Sequence, residues 1–233
     1  MAEIPVVSLD FRWQKQVESA RQAFERGRYE EAVEKASPVL IEHAACLSVR
    51  RLLRNAQVKQ GIAEPGFFGK WVASLTGAAV ALRQSSKIEQ DPLGALRTAD
   101  KLWIKDPANY EAWVVVGRAA AALDWHETAV FAFECAREKF PDRADVLAGL
   151  GRALLSAERA ADAVKVATHW LKVEPHNAEA QALLRNTSVA VTVAKGKWEG
   201  AGDYRSKLLD EQRAAALEQA AKKFGKPGPP KAP

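Results

Sequence analysis

Four histidines and two cysteines are the residues of this chain best suited to nucleophilic, general-base or metal chemistry: His43, His126, His169, His176, Cys46 and Cys135. Such chemistry needs an imidazole within reach of a nucleophile and a carboxylate, or several ligands brought to one helix face. The histidines share no spacing that would converge two imidazoles with a carboxylate or a cysteine. No glycine-rich phosphate loop, C-x-x-C pair or H-E-x-x-H run occurs either. Cys46 and Cys135 fall in segments of helical pattern, where a thiol packs as a small apolar group. The expectation is a protein without catalysis, metal or cofactor.

Other residue groups point to binding. Pro65-Gly66-Phe67-Phe68-Gly69-Lys70-Trp71 sets three aromatics between glycines, and aromatics on a loop are costly to leave in water. Phe67, Phe68 and Trp71 either fold back onto the chain or form a contact for a partner protein or a membrane surface. The nearby Arg50, Arg51, Arg54 and Lys59 form either a solvated basic face or an attraction for an anionic surface. Near the C-terminus, Trp198 and Tyr204 read as anchors of a capping helix or as part of a docking segment.

These groups must be positioned by helices. Of the 233 residues 48% are apolar and 27% charged, an ordinary globular balance. The body is rich in Ala, Leu, Glu, Lys and Arg, and no strand-like alternation bounded by hairpin turns is present. The net charge of +5 is uneven. Residues 1–105 carry 16 Lys/Arg against 12 Asp/Glu, residues 106–194 carry 9 against 12, and residues 195–233 carry 9 against 5. The acidic middle argues against a nucleic-acid partner. Two cysteines make no disulfide framework, the N-terminus lacks the pattern of a signal peptide, and Phe67 to Leu82 is shorter than the ~20 residues of a membrane span. A cytoplasmic location is the resulting expectation.

Self-similarity is the strongest signal. Pro107, Pro141 and Pro175 stand at one interval of 34, in D-P-A-N, F-P-D-R and E-P-H-N. The same shift lays Gly117 on Gly151, and Ala95 on Ala129 and Ala163. Within 111–141, Trp113, Val116, Gly117 and Ala120 recur at helical spacing, Asp124-Trp125 breaks the pattern, and Ala129, Phe133 and Ala136 mark a second helix. Small residues at Gly117 and Ala129 allow the two backbones to approach. Trp113, Val116-Gly117, Ala129, Phe133, Ala136 and Pro141 resemble the tetratricopeptide repeat (TPR) pattern. The next unit keeps Leu147, Leu150-Gly151, Ala163 and Pro175 but places Ala167 and Trp170 where Phe and Ala are expected, and A-F-E-R-G-R-Y-E-E-A at the N-terminus resembles the middle of a unit.

The resemblance implies an all-α TPR-like helical-repeat solenoid, antiparallel helix pairs in a right-handed superhelix with a C-terminal capping helix and a mobile tail. Helices are expected near 14–26, 29–43, 46–60, 69–88, 92–105, 109–122, 126–139, 143–156, 160–173, 177–194 and 204–223. The organisation reads as an extension at 1–13, degenerate helices at 14–60, an aromatic and glycine interruption at 61–75, repeats at 76–194, a loop and capping helix at 195–223, and a tail at 224–233. Ala32 and Ala95 lie 63 apart instead of twice 34, which places the irregularity between them.

The resemblance also implies a protein-interaction scaffold whose concave face takes a peptide or helix. Groove positions seven apart share a helix face. They carry Glu111, Asp145 and Glu179 at the second position and Arg118, Arg152 and Asn186 at the ninth. This ladder is either a binding groove whose arginines take carboxylates or a self-neutralising solvated face. Val114, Ala148 and Ala182 at the fifth position leave room for apolar side chains of a ligand and depart from the Lys/Asn clamp that some TPR domains use for a C-terminal carboxylate. Two other functions stay open: a homo-oligomer built by end-to-end stacking, and a peripheral membrane adaptor acting through Phe67 to Trp71.

Overall fold

A computed structural model describes residues 2–61 and 87–194. Its regular elements, among the described residues, are all helical. After a 3-10 turn at Val6–Ser8 come α1 (Phe11–Glu25), α2 (Tyr29–Glu42), α3 (Leu47–Lys59), α4 (Pro92–Lys105), α5 (Tyr110–Ala122), α6 (His126–Lys139), α7 (Ala144–Ser156) and α8 (Ala160–Val173). Contacts divide the chain into two units, residues 1–187 and 188–233. The first contains these elements and helical residues 178–187; the described part of the second, 188–194, is helical. Phe67, Phe68, Trp71, Trp198, Tyr204, the interruption, the expected helices near 69–88 and 204–223, and the tail lie outside the described residues, apart from the stretch from Lys87 onward.

The corners explain the period. Gly27, Asp124 and Glu158 all have left-handed backbone, with φ of 73°, 58° and 58°. Each closes a first helix with the bond pair of a Schellman cap, the residue after it donating five back: Arg28 to the Ala23 carbonyl, Trp125 to Ala120 and Arg159 to Leu154. Gly61, also at φ 73°, ends α3 34 residues after Gly27 ends α1. By its corner α3 is therefore a first helix, and α4, which carries Ala95, is a second helix. The extra length in the chain falls inside one repeat, between its two helices.

The starts repeat as well. Asn109 caps α5 by accepting from the Ala112 amide, and Asn177 does the same for Ala180. The equivalent slot before α7 holds Arg143, which does other work described below. Pro38 sits inside α2, where it removes one amide from the ladder. The Gln16 side-chain amide donates to the Lys35 carbonyl one turn earlier, at 3.0 Å.

Neighbouring helices lock by aromatic and glycine contacts. Trp103 of α4 stacks on Trp113 of α5 with centroids 4.3 Å apart, and Trp113 meets Phe131 of α6 edge-on. The Phe133 ring occupies space that Gly117 and Gly149 leave empty: a Cβ would come within 2.8 Å of it at Gly117 and 2.3 Å at Gly149. Gly117 thus serves the close fit expected of it, and its partner is a ring from the second helix.

The face carrying Arg50 and Arg54 corrects the sequence expectation. Neither is solvated: Arg50 is fully buried and Arg54 is 2% exposed. Arg50 donates through Nε and Nη2 to both oxygens of buried Asp100 on α4, at 3.2 and 2.6 Å, and through Nη2 to the Ala44 carbonyl. The Trp103 indole donates to the same Asp100 at 2.8 Å. Arg54 donates to the Pro107 carbonyl and to Glu138 of α6, and Gln57 donates to the Ile104 carbonyl. These three residues lie three or four apart on α3, so one helix face meets α4 and α6 through polar side chains, beside the apolar residues Val49, Leu53 and Ala56 that the helix also buries. Only Arg51 and Lys59 of that basic group are exposed.

Candidate interaction surface

The corner caps and the 34-residue period place equivalent positions of α5, α7 and the helix beginning at 178 on one side of the first unit. A depression of about 380 Å³ opens there, between α5, the N-terminal half of α6, α7 and Glu179. Arg118, Asp145, Arg152 and Glu179, four of the seven groove residues expected from sequence, line it. A smaller neighbouring depression of about 220 Å³ brings Arg152 and Glu179 together with Asn186, Ala182 and Ala148. Ala121, Ala129, Phe133, Ala148, Gly149 and Ala153 supply the apolar part of the larger one. His126 and Asp124 also line it, and the groove positions did not anticipate either.

Two expected members are placed elsewhere. Val114 is 4% exposed and packs in the core, so this fifth position offers no room for a ligand. The reason is that α5 is buried nearly all round, Trp113 to Gly117 without a break. Glu111 is half-buried and does not line the depression; both its oxygens accept from Arg143, at 2.6 and 3.1 Å.

Arg143 is the residue that repeat reasoning missed. It donates to both oxygens of Asp145 as well, at 2.7 and 2.8 Å, and its guanidinium lies 4.5 Å from the Phe140 ring centroid. Its hydrogen bonds hold the Asp145 carboxyl below the usual carboxylate range, with the Arg118 charge adding to the effect. Next along the face Arg152 pairs with Glu179, both half exposed or more. The second-position acids are therefore each tied to an arginine.

The residues suited to catalysis do not assemble. His43 meets Trp13 edge-on, His169 pairs with Asp142 at 2.9 Å, and His126 stands at the depression. Cys46 and Cys135 are free and buried. Burial pushes the Cys135 thiol up to about 12 against the pull of Arg54 beside it, which keeps it protonated. Among the described residues no group of three or more His, Cys, Asp or Glu is placed to hold a metal ion, and no helix is long and apolar enough to cross a membrane.

Residues 126–186 match the family model TPR_19, tetratricopeptide repeat. The matched span covers α6, α7, α8 and the start of the next helix. No curated protein matches the chain. Among solved structures, a mutant form of MamA is similar at 18% identity, covering 89% of this chain and 98% of that one, with a TM-score of 0.38. A thermophilic TPR protein of Thermus thermophilus is similar at 17% identity over 90% of this chain and 100% of that one, with a TM-score of 0.37. Overlap that loose decides nothing about fold or function; the repeat rests on the corners, the period and the matched span.

Proposed function

We infer that this tetratricopeptide-repeat protein is an interaction scaffold that receives a peptide or helix of a partner protein on the face made by its first helices. One observation carries the reading: Arg118, Asp145, Arg152 and Glu179, chosen from repeat positions alone, line a single depression. Repeat proteins use such faces because neighbouring units present the same positions side by side along one surface. Arg118 and Arg152 stand at the same position of successive units and define the direction along which a bound chain would run.

The test is a pull-down from the native host with wild-type protein and with the double variant Arg118→Glu, Arg152→Glu. Both side chains are exposed, so the fold is expected to tolerate the change, with circular dichroism as the check. The variant is expected to lose the captured partner. Undiminished capture by a folded variant removes this face from the function.

A further inference from the structure

The segment before α1 reaches across the first unit. Its root is fixed: Leu9 is 5% exposed, and the Gln14 side-chain amide donates to the Val7 and Leu9 carbonyls. Its tip meets two distant elements. The Ile4 amide donates to the Ala45 carbonyl at the corner between α2 and α3, at 3.1 Å. Glu3 accepts the Thr128 amide in the first turn of α6, at 2.8 Å. Between tip and root the hold is light, with Ile4 and Val6 half-buried and Pro5, Val7 and Ser8 exposed.

The first turn of α6 lacks a cap of its own. Trp125, the residue before it, makes no side-chain cap bond, so the amides of this turn depend on acceptors from elsewhere. Arg51 of α3 stands 3.6 Å from the Glu127 carboxylate, but both are half exposed and such a pair adds little. The same turn carries His126 and Ala129, which line the depression on the first-helix face. One turn of helix thus meets the N-terminal segment through Thr128 and the interaction face through His126 and Ala129.

We propose that residues 2–8 form a strap that opens and closes while the helices stay folded, and that its closure steadies the α6 side of the interaction face. The second half of this assignment rests on the first-helix face being the contact surface; the strap itself does not. Ordering the segment costs backbone entropy, which two hydrogen bonds and two half-buried aliphatic side chains offset only in part. The closed and open forms therefore lie close in free energy, as in other segments that open locally. Closed, the strap gives α6 the acceptor it lacks, on a turn where the helix dipole favours a carboxylate. Open, it leaves the turn in place through buried Trp125 and Thr128 but without that acceptor. A partner seated against His126 and Ala129 gains from the steadier turn, so partner binding and strap closure reinforce each other.

Native-state hydrogen exchange of the full chain, resolved by residue with NMR, is the test. The Ile4 and Thr128 amides lie on different elements, yet the strap's tip holds both. Their protection is expected to agree within about threefold and to lie about a hundredfold below that of amides at the centre of α5. Glu3→Ala should lower it by about tenfold at both positions and by about threefold at Ala129 and Val130, with α8 unchanged. Glu3→Gln keeps an acceptor oxygen and should retain most of the protection.

Protection at Ile4 equal to that at the centre of α5 would mean that the segment opens only when the helices unfold, which overturns the strap. Clearly unequal protection at Ile4 and Thr128 overturns their common opening. A Glu3→Ala chain unchanged at Ala129 and Val130 overturns the link to the interaction face. None of these results depends on whether that face takes a partner, which capture by the Arg118→Glu, Arg152→Glu variant decides separately.

Discussion

Asp100 satisfies three donors at once: the Arg50 guanidinium through two bonds and the Trp103 indole through a third. Both members of the pair are essentially removed from water. Deleting the carboxylate therefore strands a buried guanidinium, a loss of about 3–5 kcal/mol, whereas replacing both partners by apolar groups of similar volume is close to neutral. Asp100→Ala is expected to lower unfolding stability in urea by that amount. The pair variant Arg50→Met, Asp100→Leu should recover most of it, and a double variant that is worse than the single one would contradict this account. The sequence hid this cluster because a basic run on a helix looks the same whether it faces solvent or an acid 50 residues away. Arg143 was more visible in principle. In D-P-A-N, F-P-D-R and E-P-H-N the last residue is the cap of a first helix, and an arginine where the neighbours carry asparagine marks a side chain with a different task.

At the scale of helices, most boundaries were legible, and the reason is the repeat. The expected 92–105, 126–139 and 160–173 coincide with α4, α6 and α8: α6 and α8 begin after the corner residues Asp124 and Glu158, α4 begins at Pro92 after the capping Asp91, and all three end just before a proline-bearing turn. The period also brings four of the groove positions, Arg118, Asp145, Arg152 and Glu179, to one depression. What it could not reveal is which helix is enclosed on every side. Val114 shares the groove register, yet α5 lies among α4, α6 and α7, with Arg54 of α3 over its Tyr110 and Trp113 rings. The glycines of these helices follow the same logic of enclosure. Replacing a mid-helix glycine by alanine ordinarily stabilises by about 1 kcal/mol, but a Cβ at Gly149 would lie 2.3 Å from the Phe133 ring. Gly149→Ala is expected to destabilise by about 1–3 kcal/mol through overpacking. The same substitution in a Phe133→Leu background should cost clearly less, and thermal melts of the four proteins measure the difference. Equal costs in both backgrounds would show that the ring is not the obstacle.

Across the first unit, the interruption between α3 and α4 raises the question of what holds the N-terminal helices to the later repeats. Part of the answer is polar and long-range. Arg54 reaches the turn between α4 and α5, Glu138 of α6 and the rings of Tyr110 and Trp113. Glu3, in the segment before α1, accepts the Thr128 amide at 2.8 Å and so supplies α6 with the N-terminal partner that its own cap residue lacks. In a repeat array each unit otherwise leans on its neighbours, so damage at one junction stays local. Arg54→Ala is therefore expected to raise amide hydrogen exchange in α3, α4 and the start of α5 by about tenfold or more, since local opening reports the stability of each cooperative segment. Exchange in α8, two helices beyond α6, should stay at the wild-type rate. A uniform rise through α8 would mean that the first unit opens as one body, and no rise at α3 would mean that apolar packing such as that of Val49 and Leu53 holds the junction without the arginine.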